Sequence, residues 1–288
     1  MRFAKNAHKC SIKTPAKVNI RLKVTGLRSD GYHELVSIMV PVELFDILIL
    51  KVSPGENITI TYKGFEVPTD NKNLIHVAAR SFQTMTGITG GVSIDLTKNI
   101  PVAAGLGGGS SDAAATLMAL NSMYSSPLSK SDLQGLAVKI GADVPFFLDP
   151  RPSLATGIGE ILKPLRYWPE YWYIIITPPI RVSTSWVYGN LKLELTRGEY
   201  DYIVSALKND TFTISRILEN DLEKVTSARF PVIDTLKKLL KDAGAEGAIM
   251  SGSGPSVFGL FSSITRARSA KEMLISMDLG DVFMVKGK

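Results

Sequence analysis

The sequence predicts an α+β protein of two domains, and three observations carry that reading. Ala16–Val24 alternates strictly, with Ala16, Val18, Ile20, Leu22 and Val24 on one face and Lys17, Asn19, Arg21 and Lys23 on the other, the two-residue period of a strand. The glycine-rich run Gly105-Leu-Gly-Gly-Gly109 opens into an alanine-rich segment, Ala113–Met123, made mostly of strong helix formers. The first third reads chiefly as strands, whereas helical segments dominate beyond about residue 160, so the domains are expected at 1–160 and 161–288.

Taken in order, the turn at Ser29–Gly31 is followed by strand-like stretches at 36–51, 58–62 and 92–96, with a helix over 73–86 among them. The glycine-rich run and its helix come next, with Ser110, Ser111 and Asp112 as the expected N-cap cluster. Ser129 and Gly141 bracket a further helix as N-cap and C-cap. Asp143 lies just past its end, where Pro145 biases Val144 toward extended backbone. Pro150-Arg-Pro152 and Pro178-Pro179 mark loops. The remainder predicts a strand at 171–177, helices near 199–208, 213–226 and 231–243, and two strands flanking Ser251–Pro255. A helix over 265–277 and a strand at 282–285 complete it.

Composition narrows the function classes. Hydrophobic residues make up 45% and charged residues 21% of the 288, an ordinary globular balance. No window approaches the roughly 18 apolar residues of a membrane span, and the charged N-terminus lacks the apolar segment of a secretory signal. A single cysteine, Cys10, excludes an internal disulfide framework and fits a reducing, cytoplasmic setting. His8, His33 and His76 are scattered, without metal-ligand spacing. The net charge of +6 suits a polyanionic ligand, but the basic residues are dispersed and no nucleic-acid motif accompanies them. Small molecules are therefore the expected partners, with no nucleic acid or membrane, for a monomer or homodimer.

The chemistry concentrates in a few segments. Glycines at 105 and 107–109 let the backbone approach a ligand closely, and free N–H groups at a helix start favour an anion, so Pro101–Ala115 reads as a phosphate cradle. No Lys follows the glycines as a Walker A loop requires, and Ser110 stands where a dinucleotide fingerprint needs its third glycine. Asp143, among apolar neighbours, reads as a turn residue or as a base in a cleft wall. Lys17 reads as a solvated side chain or a functional one, Met250–Phe258 as a hairpin turn or a ligand loop, and Tyr32-His33 as a surface turn or a binding pair.

Four segments in order, Pro-Ala-Lys-Val-Asn19, Gly-Leu-Gly-Gly-Gly-Ser-Ser111, Gly-Ala-Asp-Val-Pro145 and Ser-Gly-Ser-Gly-Pro-Ser256, resemble the GHMP kinases over about residues 12–262. Thr14–Asn19, Thr25–Glu34 and Gly157-Ile-Gly-Glu160 resemble the members that act on a cytidine-diphosphate-linked methylerythritol. The resemblance implies a ribosomal-protein-like α/β N-terminal domain and a ferredoxin-like C-terminal domain, with the active site in the cleft between them. It implies transfer of the γ-phosphoryl group of ATP to the substrate's 2-hydroxyl, with ATP as co-substrate and Mg²⁺ expected.

By the same resemblance Asp143 is the catalytic base and Lys17 its partner. Pro101, Val102, Ala103, Ala104, Gly105, Leu106, Gly107, Gly108, Gly109, Ser110 and Ser111 bind ATP, with Lys98 and Asn73 near the nucleotide, and Ser111 is the expected Mg²⁺ contact. Asn19, Tyr32, His33, Ile158 and Tyr188 bind the other substrate, the aromatic residues reading cytosine. Two other readings share the cradle: a homoserine- or mevalonate-type kinase, which has no need of Tyr32-His33, and a non-catalytic nucleotide-binding protein, which has no need of Asp143 and Lys17. A prefix of about seven residues and the Pro150-Arg-Pro152 stretch depart from the family pattern, the latter beside Ile158.

Overall fold

The alternation that marks Ala16–Val24 continues in both directions. That segment lies inside β2, Lys9–Leu27, which follows β1, Phe3–Asn6, and precedes β3, His33–Ser53. In the computed structural model, which describes residues 3–6, 8–192 and 213–288, the chain forms two units that interleave in sequence. One comprises Met1–Ala16, Leu44–Val102 and Gly107–Pro150, the other Lys17–Glu43, Ala103–Leu106 and Arg151–Lys288.

In the first unit β1 pairs antiparallel with the start of β2, Phe3 opposite Ile12. β4 (Ile58–Gly64) is followed by α1 (Leu74–Thr86) and β5 (Gly91–Lys98). The second half of β3 pairs antiparallel with β5, Ile47 opposite Thr97, and β4 lies parallel on the other edge of β5. Helices α2 (Gly108–Met123), α3 (Lys130–Ile140) and α4 (Val144–Leu148) complete the unit, with α1, α3 and α4 all packed on α2. Ala113, Ala114, Ala115 and Ala119 of α2 are wholly buried, because methyl side chains let three helices approach one. Ser129 and Asp132 form a capping box at the start of α3, as a Ser with an acid three residues on should.

Two local expectations are corrected here. Helix α2 starts at Gly108, not after a Ser110–Asp112 cap. Its N-cap is Gly107, whose φ of +69° is the left-handed conformation glycine adopts without strain. Val144 is helical rather than extended, since Pro145 falls in the first turn of α4, where its missing N–H has no helical acceptor to lose.

Asp112 does other work. Its Oδ2 accepts from Lys98 Nζ at 2.8 Å, and its Oδ1 accepts from Thr14 Oγ1 at 2.7 Å. Lys98 Nζ also pairs with Asp46 Oδ2, and Asp46 Oδ1 accepts from the backbone N–H groups of Asn99 (2.6 Å) and Ile100 (2.8 Å). Lys98 is 3% exposed and Asp46 fully buried. Burial pushes the Asp112 carboxyl up to about 7 against the pull of Lys98, with Asp46 pushing the same way. Burial alone would lower Lys98, but the two carboxylates prevail and raise it.

The second unit adds the hairpin β6 (Ser153–Thr156) and β7 (Ile161–Pro164), with β6 antiparallel to the first half of β3. The chain then runs through β8 (Trp172–Thr177), α5 (Thr184–Gly189), α6 (Ile214–Ile217), β9 (Glu219–Asn220), α7 (Asp221–Arg229) and α8 (Val232–Asp242). It closes with β10 (Gly247–Met250), β11 (Val257–Phe261), α9 (Ile264–Ile275) and β12 (Asp281–Lys286). A four-stranded antiparallel sheet in the order β10-β11-β8-β12 carries α8 and α9, and Ile174, Ile176, Leu236, Leu240, Phe261 and Leu274 share their core.

The helix expected over 213–226 is broken. Glu219 and Asn220 instead lie parallel to Arg21 and Leu22 of β2. Glu219 pairs there with Arg21 and Lys23, and Asn220 Oδ1 caps α7 by accepting from Leu222 N–H at 3.0 Å. A tertiary partner has overridden local propensity. The helix expected near 199–208 lies outside the described residues.

The raised Asp112 pKa has a signed consequence. Between about pH 4 and pH 7 the folded chain keeps a proton that the unfolded chain has lost, so this site's contribution to stability falls as pH rises through that window. The slope of thermal midpoint against pH from 4 to 7 is expected to be less negative, or more positive, in Asp112→Asn than in wild type; identical slopes would contradict the assignment.

Candidate active site

Part of the cradle segment belongs to each unit, and each part is supported within its own unit. In the first, Pro101 is buried, Val102 is 45% exposed, and Gly107 leads into Gly108, Gly109, Ser110 and Ser111 as the first turn of α2. The first N–H groups of a helix have no helical acceptor, so this turn presents donors and the positive end of the helix dipole. A Cβ on Gly108 would stand 2.8 Å from Lys98 Nζ and 2.9 Å from Ile100 Cγ2, so only glycine lets the helix start rest on these side chains. Ser111 Oγ is buried and has no hydrogen-bond partner.

Asn73 is the N-cap of α1. Its Oδ1 accepts from Ile75 N–H at 2.9 Å and its Nδ2 donates to the Pro68 carbonyl at 2.7 Å. Lys98 is held by Asp46 and Asp112 as described. Asp143 occupies the N-cap position of α4 with helical φ and ψ, and its carboxylate does not cap the helix. It is half-buried beside the buried Val144, Pro145, Phe146 and Phe147.

Ala103, Ala104, Gly105 and Leu106 belong to the second unit, where the Ser251–Ser256 turn grips them. Ser251 Oγ donates to the Gly105 carbonyl at 2.9 Å, and Ser256 N–H donates to the Ala104 carbonyl at 3.3 Å. A Cβ on Gly105, where φ is +75°, would fall 2.0 Å from the Ser251 carbonyl oxygen. This turn is therefore more than a hairpin: it fits against the cradle at atomic contact.

Lys17 is not a solvated strand residue. It is 3% exposed, its backbone N–H donates to the Leu106 carbonyl at 2.9 Å, and its Nζ donates to Asn19 Oδ1. Asn19, 1% exposed, donates from Nδ2 to Ser37 Oγ at 2.8 Å, and Ser37 Oγ donates to the Arg21 carbonyl at 2.6 Å. The Asn19 N–H donates to Ser251 Oγ at 3.2 Å. Lys17, Asn19, Gly105 and Ser251 are thus one hydrogen-bonded group.

Tyr32 is 59% exposed at the end of a loop fixed by its own polar groups. Arg28 forks onto Asp30, Asp30 Oδ1 accepts from the Tyr32 N–H at 3.1 Å, and the Arg28 N–H donates to the Tyr32 carbonyl at 2.8 Å. The Arg28 hydrogen bond holds the Asp30 carboxyl below its usual range. His33 lies against Tyr188 of α5, ring centroids 5.0 Å apart. Ile158 is half-buried in the Gly157–Glu160 turn, its N–H donating to Glu160 Oε2 at 2.7 Å, and the Gly157 carbonyl accepts from Leu35 N–H at 2.8 Å.

Sequence reasoning missed Asp46, Ser37 and the part played by Asp112. Asp46 had a signal, being a lone acid in the apolar run Leu44–Leu50, whereas Asp112 follows two serines and reads as a cap. Among the described residues no cluster of three or more His, Cys, Asp or Glu side chains could hold a metal ion.

Residues 73–149 match the N-terminal domain of the GHMP kinases and residues 203–277 match their C-terminal domain. The chain is 45% identical over 276 residues, 96% of its length and 98% of the relative's, to a 4-diphosphocytidyl-2-C-methyl-D-erythritol kinase from Syntrophotalea carbinolica. A crystal structure of 4-(cytidine 5'-diphospho)-2C-methyl-D-erythritol kinase superposes with a TM-score of 0.80 at 36% identity, covering 96% of this chain and 99% of that one. Homoserine kinase from Cytophaga hutchinsonii, 23% identical with a TM-score of 0.74 over 99% and 96% of the two chains, shares the fold. With both halves matched and a near full-length relative at this identity, the chain belongs to the GHMP kinases, in the family of the 4-diphosphocytidyl-2-C-methyl-D-erythritol kinases.

Proposed function

We propose that the chain transfers the γ-phosphoryl group of ATP to the 2-hydroxyl of 4-diphosphocytidyl-2-C-methyl-D-erythritol, giving the 2-phosphate and ADP, in the non-mevalonate route to isoprenoids. Asp143 accepts the hydroxyl proton, and Lys17 stabilises the alkoxide as it develops. A tertiary alcohol is a weak nucleophile, so a positioned base contributes on the order of 10²–10⁴-fold. Burial of Lys17 and its hydrogen bond to Asn19 support that role, because a held ammonium acts on developing charge without first reorganising.

The triphosphate lies on the N–H groups of Gly107–Ser111 and the backbone of Pro101–Leu106, with Asn73 shaping the nucleotide side as the cap of α1. Phosphoryl transfer depends mostly on such placement and on charge neutralisation. When bound, Mg²⁺ would supply part of that neutralisation, and it typically keeps several waters and only one or two protein ligands. Ser111 Oγ fits that sparse demand, being a buried oxygen without a partner at the start of α2.

The observation that carries the choice of alcohol is the exposed ring of Tyr32, next in sequence to His33, whose ring lies against Tyr188. An aromatic side chain held in water by a fixed loop suits stacking on a flat base, and the His33 ring adds a polar edge. Asn19 reaches the substrate's polyol end through the group it shares with Lys17, and Ile158 forms the pocket edge. The lone cysteine Cys10 fits a cytoplasmic setting.

The deciding experiment compares ATP consumption on 4-diphosphocytidyl-2-C-methyl-D-erythritol, homoserine and mevalonate. Turnover confined to the cytidyl compound is expected; a preference for either other alcohol overturns the reading. Asp143→Asn should reduce kcat by about 10²-fold or more while ATP affinity changes little, and wild-type kcat would remove Asp143 from the chemistry. Tyr32→Ala should raise KM for the cytidyl substrate about tenfold with KM for ATP unchanged, whereas equal effects on both would sink the base-stacking role.

A further inference from the structure

Lys98, Asp46 and Asp112 together touch three segments that bound the cradle. Asp46 Oδ1 holds the N–H groups of Asn99 and Ile100, the turn that delivers the chain to Pro101. Lys98 Nζ links that carboxylate to Asp112, four residues into α2, and Thr14 Oγ1 donates to the far oxygen of Asp112. The start of α2 sits directly on this group, since a Cβ on Gly108 would come within 2.8 Å of Lys98 Nζ. One ammonium therefore sets the distance between the entry turn and the helix whose first N–H groups face the ligand.

We infer that Asp46, Lys98 and Asp112 form a buried clamp that positions the phosphate cradle, so that Lys98 serves ATP through the backbone of Gly107–Ser111 and not by touching the nucleotide. Lys98 is 3% exposed and two carboxylates face its ammonium. A charge so placed is costly to move, because leaving either carboxylate unpaired in the interior is strongly unfavourable. Asp46, Lys98 and Asp112 are then positioning residues, and the exposed side of the cradle is left to the backbone.

The inference rests on the reading of Gly105–Ser111 as the triphosphate site, and the test separates the two. ATP with Mg²⁺ is titrated calorimetrically into the full chain without alcohol, for wild type, Lys98→Met, Asp112→Asn and the double variant, and KM is measured for both substrates. Lys98→Met should weaken ATP about tenfold or more and Asp112→Asn about three- to tenfold, while the double variant falls within about threefold of Lys98→Met, as members of one coupled group do. KM for the cytidyl substrate should stay within about twofold throughout. Losses that multiply in the double variant, or wild-type ATP affinity in Asp112→Asn, overturn the clamp and return Lys98 to direct contact or to a purely structural part. If Lys98→Met does not fold, the isosteric Asp112→Asn decides alone by the same criterion. A wild-type chain that binds no ATP overturns the cradle reading itself.

Discussion

A charge removed from water has to be paired, and both units are organised around that cost. In the first, Lys98 is accepted into the interior only between Asp46 and Asp112, which come from β3 and α2. In the second, Lys17, Asn19 and Arg21 on the polar side of β2 are buried. Lys17 is taken up by Asn19, and Arg21 by Glu219 and the Ile217 carbonyl at 3.4 Å. Each pairing draws a distant segment into register. Glu219 breaks a helix to lie beside Arg21, and that break leaves Asn220 free to donate to the Met250 and Gly252 carbonyls, which fixes the approach to the Ser251–Ser256 turn. The ion pairs are weak evidence for stability, but they specify which backbone lies next to which.

What the pairings locate, the glycines permit. Gly105 admits the Ser251 carbonyl into space a Cβ would fill, and Gly108 admits Lys98 and Ile100 in the same way. These positions are a few residues apart in one loop, and each is pressed against support from its own unit. Glycine-rich loops are ordinarily flexible. Here the missing side chains allow close contact rather than freedom, and each part of the segment is held within its own unit.

The candidate site residues were picked out by type and order, and the residues that support them were not legible in that way. Lys17, Asn19 and Asp143 stand in short segments whose composition is unusual in itself. Periodicity assigned Lys17 to the polar face of a strand correctly, but it cannot report that this face is buried, because the covering residues Ser37, Glu219 and Ser251 lie up to hundreds of residues away. The cap of α2 failed for a related reason. Ser110, Ser111 and Asp112 have the chemistry of N-caps, yet a left-handed glycine can start a helix without them, and Asp112 gains more from Lys98 than from a free N–H. Pro145 misled in the other direction, since the same residue that disfavours helix before it is welcome within a helix's first turn.

The fold leaves the choice of alcohol open, as the homoserine kinase of similar shape makes plain. The glycine-rich segment does not decide it either, since backbone N–H groups at a helix start favour an anion of any kind. The five-residue loop Arg28–Tyr32 differs from both in needing no partner outside itself. Arg28 and Asp30 spend their charges on each other and on the backbone, so the loop needs no ligand to hold its shape. Tyr32 can then stay exposed at little entropic cost on binding, which is the condition under which one aromatic face contributes affinity and selects for a flat partner. The turn that carries Tyr32 is thus shaped by its own side chains at the surface, whereas Lys17 and Asn19 lie buried.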